Sequence, residues 1–94
     1  MLPAAMRFNL AAAPEQFLRM ARVVQPGAAD GQEFVDWVVG LSEYIGIPTS
    51  LGALGITPDT LDSLVAVAIK DGCHPLNPRP VTEKDFHAIY QDAF

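Results

Sequence analysis

A single cysteine in 94 residues cannot form an internal disulfide, and the chain is expected in a reducing compartment, the cytoplasm. Basic residues are scarce too: six Lys and Arg stand against eleven Asp and Glu, a net charge of −5 at pH 7. Phosphate backbones repel such a surface, and no Lys/Arg cluster overrides the balance, so nucleic acid is excluded as a partner. Uninterrupted apolar runs last only a few residues, far short of the ~20 that span a bilayer, so no membrane crossing is expected. The opening MLPAAMRFNLAAAPEQ carries too brief an apolar core and no basic leader for a secretory signal. There is no G-x-S-x-G elbow for an acyl-transfer serine and no D-x-D-x-D-G calcium loop. The turn LGALG lacks both the G-x-G-x-x-G spacing and a preceding strand that phosphate binding needs. Charge is thin overall, at 18% of residues against a usual figure of about 25%.

What remains is apolar and helical. Half of the residues are hydrophobic, 50%, a high share for a chain whose length suits one small domain. That excess implies an apolar face covered by a partner or by self-association. The apolar residues recur at steps of three and four. Residues 32–45 carry Phe34, Trp37, Val38, Leu41, Tyr44 and Ile45 on an expected buried face. Gly46 follows in the left-handed cap position and Pro48 blocks continuation. Residues 58–71 repeat the pattern with Leu61, Leu64, Val65, Ala68 and Ile69, between a Thr57 cap with Pro58 and a terminating Gly72. Residues 14–25 begin at Pro14 and Glu15, bury Phe17, Leu18, Ala21 and Val24, and stop at Pro26-Gly27. Thr82 and Asp85 form a capping arrangement for a last helix that aligns Phe86, Ile89, Tyr90 and Phe94. Residues 2–8 read as the tail of a further helix, and a short turn is expected at 50–53. No useful stretch alternates with period two. The fold class is therefore all-α: one small bundle of four to five helices over residues 1–94.

The chemistry-bearing residues gather in DGCHPLNPRPVTEKDF, residues 71–86. Cys73 and His74 are adjacent, so their side chains diverge and do not chelate as a C-x-x-C pair does. Cys73 reads as a small buried hydrophobe at a helix end. A cysteine nucleophile needs a base within reach of the sulfur, and the neighbouring His74 is poorly placed for it. His87 stands four residues after Glu83, a helical spacing for a solvated pair. Trp37 reads as core rather than as a ligand platform.

The order of short motifs adds a resemblance. LPAAMRFN, AAAPEQFLRMAR, GIPTSLGALGI and NPRPVTEKDFHAIYQDAF, in that order, resemble the C-terminal end of the iron-containing (group III) alcohol dehydrogenases. The resemblance runs over essentially the whole chain and implies part of a dehydroquinate synthase-like helical domain. It also implies, for the intact enzyme, an N-terminal α/β domain for NAD(P) and a helical domain holding iron, or zinc, on one Asp and three His. Those ligands precede the Leu2-Pro3 motif in the family, and the histidine that relatives often carry after it is Ala4 here. No metal or nucleotide residue carries over, so this chain alone is expected to bind no cofactor and to be inactive without a dehydrogenase portion bearing them. Cys73 aligns with a position lining the cleft near the nicotinamide in some relatives. Asn77, Pro78 and Arg79 match a motif expected to fix the loop, Arg79 by bonding backbone carbonyls. The alternative is a non-catalytic interaction or dimerisation module derived from that domain.

Overall fold

A computed structural model describes all residues, 1–94. It contains five α-helices and no strand: α1 (Leu2–Leu10), α2 (Pro14–Val24), α3 (Gln32–Tyr44), α4 (Leu61–Ala68) and α5 (Glu83–Ala93). Short 3₁₀ turns occupy Gly52–Leu54, Pro58–Thr60 and His74–Leu76. The all-helical expectation holds.

Local chemistry explains most boundaries. Proline near the start of α1 and α2 sacrifices no intrahelical bond, because first-turn N–H groups have no helical partner. Thr82 caps α5 in a reciprocal box: Asp85 N–H donates to Thr82 Oγ1 (3.3 Å), and Thr82 N–H donates to Asp85 Oδ2 (2.9 Å). After α3 the chain turns through Gly46 at φ 81°, a left-handed conformation that favours glycine.

The region around α4 differs from the sequence expectation. Residues 58–71 do not form one helix; Pro58–Thr60 winds as 3₁₀, and α4 proper ends at Ala68. Thr57 provides no side-chain cap. Its hydroxyl donates to Asp59, while Thr60 Oγ1 donates back to Thr57 O at 2.7 Å. These local bonds compete with the first helical turn.

α1 is shared by two apolar clusters. On one side Ala4 joins Leu51, Ile89 and Ala93, with Phe8, Tyr90 and Phe94 around them. On the other Met6 joins Ala13, Phe17 and Val35. α3 thus packs on α2 and α1, and α5 packs on α4 and α1. The loop after α3 is pinned to the end of α5 by Leu51 N–H donating to Ala93 O (2.8 Å). Arg7 pairs with Asp92 at 2.7 Å across α1 and α5, a solvent-facing ion pair that contributes little.

The inner face of α3 is a second correction. Val35 is its fully buried residue, whereas Trp37, Leu41, Tyr44 and Ile45 are exposed. Trp37 is stacked on Phe34 with ring centroids 6.2 Å apart, rather than enclosed. The helix is apolar around most of its circumference, so periodicity alone cannot select the stripe that faces inward.

Candidate functional site

The segment from Ile69 to Val81 lies against the first turns of α5 and the C-terminal turn of α1. Two hydrogen-bonded groups hold it there. Asn9 Nδ2 donates to Asn77 Oδ1 (2.9 Å), and Asn77 Nδ2 donates back to Asn9 Oδ1 (2.7 Å) and to Arg79 O (2.8 Å). Arg79 Nη1 donates to Phe8 O (2.9 Å), and the guanidinium carbon lies 3.8 Å above the centre of the Phe8 ring. Phe8 O belongs to the last turn of α1, where carbonyls have no intrahelical donor and the helix dipole favours a cation. Asn77 is extended (φ −67°, ψ 148°), the region imposed on a residue preceding proline, here Pro78. Planar guanidinium, paired amides and stiff proline together form a clasp between α1 and this segment.

Beneath the clasp lies an open cavity of about 440 Å³ between α1, the segment and α5. Its wall is mainly apolar, from Phe8, Leu76, Phe86, Ile89 and Tyr90, with Asn9, Cys73, His74 and Asn77 as polar members. The volume falls within the ~300–1,000 Å³ typical of small-molecule sites.

Cys73 does not sit in the core. Its thiol is exposed on the cavity rim, because the chain leaves α4 before residue 72 and the following turn projects outward. Cys73 N–H donates to Asp71 Oδ1 at 2.8 Å. Hydrogen bonding to the Cys73 thiol and then to its N–H holds the Asp71 carboxyl below its ordinary range. The thiol moves the other way: a hydrogen bond to Asp71, then the carboxylate's charge, push it up. Cys73 is therefore a protonated, weakly nucleophilic thiol at neutral pH. His74 Nε2 donates to Ile69 O (2.9 Å), and its ring stands edge-on to Phe86 with centroids 5.6 Å apart. That nitrogen is occupied by a carbonyl and is unavailable as a base toward the sulfur. His87 faces Asp62 of α4 at 3.6 Å rather than its helical neighbour Glu83, because α4 packs alongside that face of α5.

The donor set does not fit an iron site. No three His, Cys, Asp or Glu side chains converge anywhere in the chain, and one of its two histidines is tied to a backbone carbonyl. Nor is there a strand opening into a glycine-rich turn for a dinucleotide.

Comparison with known proteins decides the family. Residues 1–94 match the model of the iron-containing alcohol dehydrogenase family, C-terminal part. The chain belongs to that family. It is 34% identical to the 1,3-propanediol dehydrogenase of Citrobacter freundii over 101 residues, covering 100% of this chain and 26% of the relative. It is 30% identical to the 4-hydroxybutyrate dehydrogenase of Cupriavidus necator over 97 residues, covering 98% of this chain and 25% of the relative. Its fold superposes on the crystal structure of a 1,3-propanediol oxidoreductase with a TM-score of 0.90 at 32% identity, covering 99% of this chain and 26% of that one. The chain thus spans about a quarter of the length of the relatives it matches and corresponds to their C-terminal part.

Two positions escaped sequence reasoning. Phe8 is the platform under Arg79; a lone arginine between prolines signals that it seeks a partner, without saying which. Gly31 is buried where α2 passes the start of α3, and an added Cβ there lies 2.5 Å from Phe17 Cβ. Its signal was a glycine standing where Ser, Thr or Asp is the usual helix cap.

Proposed function

We propose that this chain is the C-terminal helical scaffold of an NAD(P)-dependent, iron-type alcohol dehydrogenase that interconverts an alcohol and an aldehyde or ketone in the cytoplasm. One observation carries the proposal: all 94 residues match the family's C-terminal part, while the chain gathers no metal-ligand set of its own. The iron ligands and nucleotide domain would then belong to polypeptide other than these residues, and a metal held there would supply Lewis-acid chemistry that this chain does not. This chain's share is shape. The Asn9–Asn77 and Arg79–Phe8 clasp holds the 73–78 segment against α1. Cys73 forms part of a cleft wall beside the nicotinamide, as a packing surface rather than a nucleophile.

To test this, the purified chain is incubated with Fe²⁺ or Zn²⁺, NAD(P)H and a panel of aldehydes. No cofactor oxidation is expected. Metal-dependent turnover by these residues alone refutes the proposal.

A second reading is favoured by the exposed apolar side chains, among them Trp37, Tyr44, Ile45 and Leu76. In this alternative the helical unit is a non-catalytic interaction or dimerisation module derived from that domain.

A further inference from the structure

We draw no further inference here: the strongest candidate, the open apolar cavity between α1, the 69–81 segment and α5 with Cys73 and His74 in its lining, belongs to the site already described, and nothing in the structure shows what covers it.

Discussion

Removing the Arg79 guanidinium is the most direct test of how the 73–78 segment is held. In the native chain Arg79 Nη1 donates to Phe8 O at 2.9 Å and its plane covers the Phe8 ring at 3.8 Å. A hydrogen bond from a charged donor contributes about 1.5–3 kcal/mol, and a cation–π contact near the surface about 0.5–1 kcal/mol. Arg79 is half-buried, so the lower ends apply, and Arg79→Ala is expected to lose about 2 kcal/mol. For a domain of this size each kcal/mol moves the melting midpoint by roughly 4–8 °C, so a fall of about 8–16 °C is expected in a circular dichroism melt. Arg79→Lys keeps a charge but loses the flat stacking surface and the fixed fork, and should fall about half as far. A double-mutant cycle with Phe8→Leu isolates the ring contact, with an expected coupling of about 0.5–1 kcal/mol. Melting of Arg79→Ala within about 1 °C of wild type would show that the clasp exists in geometry but contributes nothing, and the scaffold role assigned to it fails.

Other perturbations probe different parts of the molecule. Gly31→Ala drives a methyl to within 2.5 Å of Phe17 Cβ and 3.1 Å of the Leu18 backbone nitrogen, neither able to retreat; about 2–3 kcal/mol of destabilisation should follow in urea unfolding. An unchanged midpoint there contradicts the close α2–α3 approach. Asp85 is held below its ordinary pKa by the Thr82 backbone, then side-chain, hydrogen bonds. Its folded pKa lies below the unfolded value, so its stabilisation is full above about pH 4 and is lost as pH falls through the folded value. Asp85→Asn should therefore flatten the loss of stability below about pH 4, and an acid titration that superposes on wild type counts against the box. At the cavity rim, Asp71→Asn removes the carboxylate that raises the Cys73 thiol, and iodoacetamide alkylation near pH 8 should accelerate several-fold; an equal rate in both proteins refutes the assigned cause.

Much of this was legible in one dimension because helices are local. Pro14, the Thr82–Asp85 box and Gly46 mark boundaries through bonds to residues a few positions away, and α2, α3 and α5 lie close to the expected ranges. Where local hydrogen bonds competed, at Thr57 and Thr60, the boundary shifted by a turn. The short motifs around Leu2-Pro3, Gly46-Ile47-Pro48 and Asn77-Pro78-Arg79 likewise sufficed to place the chain in its family, since motif order survives without knowledge of contacts.

Contacts across the fold were another matter. That Arg79 rests on Phe8, 71 residues earlier, depends on α1 and α5 being neighbours, which no spacing encodes. The same holds for Cys73, whose exposure follows from where α4 ends, and for Gly31, whose lack of a side chain matters only because Phe17 lies beside it. On α3, hydrophobic periodicity shows that the helix wants cover, but the stripe that receives it is chosen by α1 and α2 as they close over Val35. By itself the amino-acid sequence determined where α2, α3 and α5 lie, though not the ends of α4, and which family they serve, because those depend on near neighbours and motif order. Tertiary structure alone decided which faces meet, because burial is a property of surfaces that come together only once the chain has folded.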